Sequence, residues 1–396
     1  MIFIQVGQCG IQCGQEIIQK INKNNKSGDL IKELLIDTES KVLNECKYKN
    51  GIIKGKHKKF FQIGKDGSGN NWSFGYSKVD SELINSIMDN FSQLIESIDL
   101  HKGLNFVHSI AGGTGSGLFS RVIEEIRDRY PKTCISTYSI FPFESGENSL
   151  QYYNSIFSLS WVQKFADIIY CFSNKEILDI FTNIKSSKNY SLNDINSFIS
   201  DCASSLYPFG NKNEYINTWD IIYDICPIPS MKLLKVFSES TLENLVKILP
   251  SNYNNDKLIS GRLNLLSEND TDKRILNKLY KRIGALSHTE ALTIRFLKSE
   301  ISNNIFNKKE NCNPLYLFNF NSKSRASILK NSTDILPTLS YLLNQSEYMY
   351  KNKAFWSYFK NYNENIDELF IESYNTLYNC KNDYHECIEI KLQFKK

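Results

Sequence analysis

Ala111-Gly112-Gly113-Thr114-Gly115-Ser116-Gly117 separates an apolar run, Leu104 to Ile110, from an amphipathic one. The first run reads as a buried strand. In the second, Leu118, Val122, Ile123, Ile126 and Tyr130 share one face, and Arg121, Glu124, Glu125 and Asp128 share the other, until Pro131 ends the helix. A strand, a glycine loop and a helix in that order form an anion site. Glycines let backbone N–H groups approach closely, and the helix start adds a positive dipole end and unpaired amides. Thr114 and Ser116 add hydroxyl donors. The loop lacks the Gly-Lys-Ser/Thr ending of a Walker A loop, and its glycines do not fall at dinucleotide-fingerprint spacing. With no lysine in the loop, amides, hydroxyls and a divalent cation must balance the phosphate charge.

Outward from the loop, strands and helices alternate. Strands are expected at Ile2–Val6, Leu34–Ile36, Ile135–Ile140 and Asp167–Phe172, and helices from Gly7 to about 22, at 81–98, 150–164 and 174–184. The pattern predicts an α/β class, a doubly wound domain with a mainly parallel sheet. Its ligand should lie at the carboxyl ends of the strands. The stretch 47–65 reads as basic and irregular. Beyond Asn193 come a long helix to about Leu206, a mixed segment with strands at Met231–Phe237 and Leu315–Phe320, and helices over 334–380. No internal repeat and no long linker is present.

With 396 residues, two or three sub-domains are expected. No apolar run is long enough to span a membrane. Met1–Val6 is too short for a signal core and has no basic flank, so the expected place is the cytoplasm, without a membrane partner. The net charge of +4 is mild and the lysines are scattered, which speaks against nucleic acid; Lys54 to Lys59 reads as a solvated loop. Ten cysteines show neither Cys-x-x-Cys pairing nor zinc spacing, and reduced, buried thiols are expected.

The glycine heptapeptide in this setting resembles the nucleotide signature of the tubulin family. Gly7-Gln8-Cys9-Gly10-Ile11-Gln12-Cys13-Gly14 resembles the family's N-terminal motif, and Asp37-Thr38-Glu39 its Asp-Leu-Glu turn. Gly69-Asn70-Asn71-Trp72 resembles its next nucleotide loop, and Asn174 and Asn196 its two guanine- and ribose-contacting asparagines. Lys353-Ala354-Phe355 and Asn365 to Phe370 resemble its C-terminal helical crest. The matches run in order from residue 2 to about 378, dense in the first half and faint over 238–285.

The resemblance implies GTP or GDP with Mg2+. Gln8, Asn70, Ser109 and Ala111, Gly112, Gly113, Thr114, Gly115, Ser116 and Gly117 would meet phosphates. Cys9 and Gln12 would line the base side. Asp37 and Glu39 would face the γ-phosphate, Glu39 through the metal. Glu147 would face the ribose, and Asn174 and Asn196 would read guanine, an amide offering both donor and acceptor. The family's base-stacking aromatic is replaced by Leu192, with Tyr190 nearby as a substitute. The implied architecture is a GTPase domain over 1–190, a core helix over 191–212, an α+β domain over 213–330 and a C-terminal helical hairpin region over 331–396.

In this family a neighbouring subunit completes hydrolysis. The stretch before Cys226-Pro227-Ile228-Pro229 places Asp220 at that catalytic position, but the preceding motif is degraded over 213–217. GTPase activity is therefore expected to be slow and assembly-dependent at most. Gly67 to Ser77, Ala111, Tyr153 to Ser160 and Asp220 look most like δ-tubulins. That likeness implies other tubulins as head-to-tail partners, microtubule or centriole components, and a place at the centriole or basal body in cilium or flagellum assembly. The basic ending, Lys395-Lys396, is unlike the acidic tails of bulk microtubule subunits. An ε-like or lineage-specific tubulin with a purely structural nucleotide is the alternative. An NAD-dependent oxidoreductase is disfavoured by the glycine spacing. His108 reads as a packed strand histidine.

Overall fold

The computed structural model describes residues 1–24, 31–49, 58–62, 67–78, 81–98, 103–144, 148–185, 190–207, 218–226, 228–239, 248, 258–265, 291–296 and 326–393. The chain divides into two compact units. The first comprises 1–16, 30–176 and 336–382; the second comprises 17–29, 177–335 and 383–396.

In the first unit, β1 (Ile2–Val6), β2 (Lys32–Asp37), β3 (Lys58–Gln62), β4 (Leu104–Ser109), β5 (Ile135–Phe141) and β6 (Ile168–Ser173) form a sheet in the order β3-β2-β1-β4-β5-β6. Every pairing within it is parallel. β1, β2 and β5 are buried along their whole length, as expected of strands covered on both faces. Of the three charged residues of β2, Lys32 and Glu33 are accommodated rather than exposed, and Asp37 ends the strand. Gln15 and Gln5 donate to the buried Glu33 carboxylate at 2.6 and 3.1 Å, and the Lys32 ammonium reaches the Ser97 carbonyl.

The helices follow their apolar spacing. These are α1 (Gly7–Asn24), α2 (Ser40–Lys49), α3 (Trp72–Ser77), α4 (Ser81–Glu96), α5 (Phe119–Arg129), α6 (Gln151–Phe165) and α7 (Asn174–Lys185). α4 buries Ile84, Ile87, Met88, Phe91 and Leu94, one face of a 3.6-residue period. α3 starts where the Asn71 side chain accepts from the Ser73 and Phe74 amides. α6 is buried on nearly every side, including Ser155, Ser158 and Ser160. It packs against α3, α5 and the C-terminal α10 (Leu336–Lys351). α11 (Trp356–Lys360) and the first part of α12 (Ile366–Gln393) complete this unit. Tyr153 of α6 meets Trp356, Phe359 and Phe370 at 5.0 to 5.8 Å between ring centres.

Two elements correct the expectation of an irregular stretch over 47–65. Ser40–Lys49 is helical, and Lys58–Gln62 is a strand paired with β2. β3 is an edge strand, and edge strands carry lysines because charge discourages pairing with another chain. The basic composition hid the strand for that reason.

The second unit holds α8 (Leu192–Ser204), α9 (Thr218–Ile225) and the strands β7 (Leu233–Glu239), β8 (Leu258–Leu265), β9 (Ala291–Phe296) and β10 (Ala326–Ser332). β10 lies antiparallel between β7 and β8, and β9 is parallel to β8. Burial alone would raise the Asp334 carboxyl, but the ammonium groups of Lys235 and Lys330 hold it down to about 2. The expected strand at Leu315–Phe320 lies outside the described residues. The eight described cysteines form no disulfide with one another. No described helix is long and apolar enough to cross a membrane.

Candidate functional site

The strand order turns back on itself between β1 and β4: the chain first builds outward from β1 to β3, then crosses to β4. In such sheets the loops after the two strands at the reversal part and leave a crevice. Here those are the start of α1 after β1 and the glycine loop after β4. They touch. Gly7 has a φ of +73°, and a Cβ on it would lie 2.8 Å from the Gly115 amide nitrogen. Gln8 and Gln12, four residues apart on α1, are exposed, with Cys9 half-buried between them.

The turn after β2 adds the acidic groups. Oδ1 of Asp37 accepts from the Thr38 amide at 2.7 Å and the Glu39 amide at 3.3 Å. Its Oδ2 has no partner among the described residues, although Asp37 is only 3% exposed. Burial pushes this carboxyl up to about 6. Beside it, three hydroxyls from three separate turns form a triangle. Thr38 Oγ1 lies 2.5 Å from Thr114 Oγ1, Ser68 Oγ lies 2.9 Å from Thr114 Oγ1, and Thr38 and Ser68 are 3.2 Å apart. Glu39 lies against Gly67.

The loop itself is wound. Thr114–Leu118 forms a π-helical turn that runs into α5, and such turns often mark functional positions. Its glycines serve different ends. A Cβ on Gly117 would lie 2.3 Å from the Trp72 carbonyl oxygen, and one on Gly113 would lie 2.8 Å from the Asn71 amide nitrogen. These two are needed for packing against the turn before α3. A Cβ on Gly112 would meet nothing within 4 Å. Of these three, only Gly112 faces open space.

His108 holds the loop from beneath. Its Nδ1 lies 2.9 Å from the Gly115 carbonyl, which can only accept, so Nδ1 carries the proton. Nε2 then accepts from the Ser139 hydroxyl at 2.8 Å, and the ring stacks on Phe119. Burial lowers its pKa to about 3, so the imidazole is neutral. It is a packed strand histidine.

A family model described as the Tubulin/FtsZ family GTPase domain matches residues 1–182, the stretch that carries this sheet and these loops. Residues 1–182 are a tubulin/FtsZ-family domain. Among curated proteins, the tubulin delta chain of Homo sapiens is 29% identical over 274 residues, and that of Macaca fascicularis is 28% identical over the same length. Each alignment covers 60% of this chain and 60% of the relative, so the chain matches less than two thirds of their length. The tubulin gamma chain of Saccharomyces cerevisiae is 28% identical over 242 residues, covering 52% of this chain and 50% of that one.

Within the tubulin/FtsZ domain, Gln8, Cys9, Gln12, Asp37, Glu39, Asn70, Ser109 and Ala111–Gly117 all stand at the carboxyl ends of β1, β2 and β4 or in the turn before α3. Ser109 Oγ accepts from the Ala111 amide at 3.3 Å. Asn174 opens α7 at the end of β6, two strands farther along the sheet. Asn196 on α8 and Asp220 on α9 belong to the second unit. Glu147 lies outside the described residues. Tyr190, the expected base-stacking substitute, belongs to the second unit. Its ring stacks on Phe181 at 4.7 Å, and its hydroxyl donates to the Phe181 carbonyl. Leu192 is 57% exposed at the head of α8.

Sequence reading missed four residues of the tubulin/FtsZ domain. Thr38 and Ser68 complete the hydroxyl triangle, and Asn148 and Asn154 reach the Asn70 and Ala111 carbonyls. A hydroxyl at the middle of an otherwise acidic turn was a visible signal for Thr38. None marks Asn154, which sits 43 residues from Ala111.

Proposed function

We propose that this chain is a GTP-binding cytoskeletal protein of the tubulin superfamily, of δ-tubulin type, with GTP or GDP and Mg2+ as its ligands. One observation carries the reading: the Gln8–Gln12 face, the Asp37–Glu39 turn, the Asn70 turn and the glycine loop converge around the sheet's reversal point in a domain of this family. In this reading Gln8, Asn70, Ser109 and the 111–117 loop take the phosphates. Cys9 and Gln12 line the base side, Glu147 meets the ribose, and Asn174 and Asn196 read guanine.

The donor set suits Mg2+. Among the described residues no three His, Cys, Asp or Glu side chains gather to hold a metal alone. Mg2+ needs no such cage, since it keeps several waters and binds through one or two carboxylates plus phosphates. The partnerless oxygen of Asp37 and the carboxylate of Glu39 would be those groups. When bound, the ion neutralises phosphate charge; the protein's part is to hold the carboxylates and hydroxyls in place.

The proposed partners are other tubulins in head-to-tail contact, a heterologous arrangement that propagates as a filament. Asp220 would serve a neighbour's nucleotide in trans, making any GTPase slow and assembly-dependent. The proposed setting is the cytoplasmic cytoskeleton at a centriole or basal body, in microtubule organisation and cilium or flagellum assembly, with no nucleic-acid or membrane partner. The proposed domains are 1–190, 191–212, 213–330 and 331–396. Chromatography of nucleotide released from the purified protein tests the core of this. Stoichiometric guanine nucleotide is expected; an adenine or nicotinamide nucleotide would refute it.

A second reading has support from Leu192 and Tyr190. With the first exposed and the second engaged by Phe181, an aromatic grip on the base is missing there. The chain would then be a divergent, ε-like or lineage-specific tubulin with a purely structural nucleotide. Retained GTP with no phosphate release under assembly conditions would favour it.

A further inference from the structure

α6 is enclosed, and the Ser155 and Ser158 hydroxyls on it have no hydrogen-bond partner among the described residues. Asn154 is fully buried and finds three. Its Nδ2 donates to the Asn70 carbonyl at 2.8 Å and to the Ala111 carbonyl at 2.8 Å. Its Oδ1 accepts the Trp72 amide at 2.9 Å. A primary amide has two N–H donors, and both are committed, one to each of two loops far apart in sequence. Asn148 points its own Nδ2 at the same two carbonyls, at the longer distances of 3.2 and 3.3 Å.

The Asn70 carbonyl belongs to a strained residue. Asn70 has a φ of +51°, in the left-handed region. Such a conformation persists in a non-glycine residue only where its surroundings fix it. The amide of Asn154 fixes the carbonyl side of that residue, while its oxygen fixes the start of α3 through Trp72. The same amide sets the first residue of the glycine loop.

We propose that Asn154 is a positioning residue that joins the Asn70 turn and the glycine loop into one phosphate-binding surface, with Asn148 as a weaker second tie. The proposal rests on the reading of this site as a guanine-nucleotide site. No other side chain of this volume can replace it. Aspartate keeps the acceptor for Trp72 but, when ionised, turns both donors into acceptors facing carbonyl oxygens. Leucine supplies neither.

The test uses the full chain stripped of nucleotide, with GDP and GTP plus Mg2+ as probes, titrated between pH 6 and 8. Asn154→Asp is expected to bind about tenfold or more weakly at pH 8. It should recover toward pH 6, because the buried carboxyl takes a proton and becomes a donor. Asp37 titrates in the same window, so wild type measured in parallel sets the reference slope. Asn154→Ala should lose a similar factor with the wild-type pH profile. Asn148→Ala should cost about two- to threefold alone and more in the Asn154→Ala background, since Asn148 is then the remaining tie. If Asn154→Asp does not fold, the Asn154→Ala and Asn148→Ala cycle decides. Binding within twofold of wild type in the Asn154 variants, or additive losses in the cycle, would overturn the proposal. Failure of wild type to bind either nucleotide would instead overturn the guanine-site reading, and this proposal with it.

Discussion

Replacing Gly112 or Gly117 by alanine adds the same methyl group at two places in one loop, with opposite expected consequences. At Gly117 the new Cβ would sit 2.3 Å from the Trp72 carbonyl oxygen and 3.0 Å from the Gly75 Cα. Both obstacles are backbone, so no rotamer change relieves them. Trp72 cannot retreat easily, being stacked on Tyr76 and Phe157 at 4.6 and 4.7 Å. Overpacking costs roughly 1–3 kcal/mol in a close-packed core, and alanine returns roughly 0.4–1 kcal/mol by restricting the unfolded chain. Because a backbone contact is the hard end of that range, Gly117→Ala should destabilise by about 2 kcal/mol. At Gly112 the Cβ meets nothing within 4 Å and φ is not positive. Only the unfolded-state gain remains, so Gly112→Ala should be neutral or stabilising by up to ~1 kcal/mol. Its methyl nevertheless enters the space assigned to phosphate. Urea unfolding of the two variants, read at equal m-values, measures the first half. Guanine-nucleotide titration of Gly112→Ala measures the second, with a loss of about tenfold or more expected. A stable Gly112→Ala that binds as tightly as wild type would refute the assignment of that space. A Gly117→Ala as stable as wild type would refute the packing argument.

Two further outcomes are expected. Thr38→Val keeps shape and removes one corner of the hydroxyl triangle; it should weaken GTP binding about five- to tenfold, and equal weakening of an uncharged ligand would count against a phosphate role. Asp37 and His108 oppose one another in pH. The Asp37 carboxyl is raised from 3.8 to about 6, so its ionisation lowers stability as pH rises from about 4 to 6. His108 is depressed from 6.5 to about 3, so its contribution is complete above about 6.5 and is lost as pH falls toward 3. The two slopes nearly cancel between about 4 and 6. Asp37→Asn should therefore expose the His108 slope, with stability falling by close to one proton's linkage per pH unit on acidification. Thermal unfolding across that range checks it, and an unchanged profile would show that Asp37 is not protonated there.

The alternating elements of the first unit and the place of its glycine loop are legible in the sequence. Local periodicity is enough for that. Leu104, Phe106 and Val107 cluster in one short strand, and Val122, Ile123 and Ile126 recur at helical spacing, whatever else the chain does. The ordered motifs from Gly7 to the glycine loop also pointed to a family whose domain model matches residues 1–182. Tertiary structure decided what these residues do to one another. A charged pattern concealed β3 because an edge strand tolerates lysine. Gly113 and Gly117 also leave room for the turn before α3 and for the start of that helix. Tyr190 found Phe181, its neighbour across the last turn of α7. Asn154 reads in sequence as one polar residue in an apolar helix. Its two donors find their acceptors 84 and 43 residues away, and no periodicity records a contact of that range. Spacing fixes which face a side chain shares; only the folded chain supplies what that face meets.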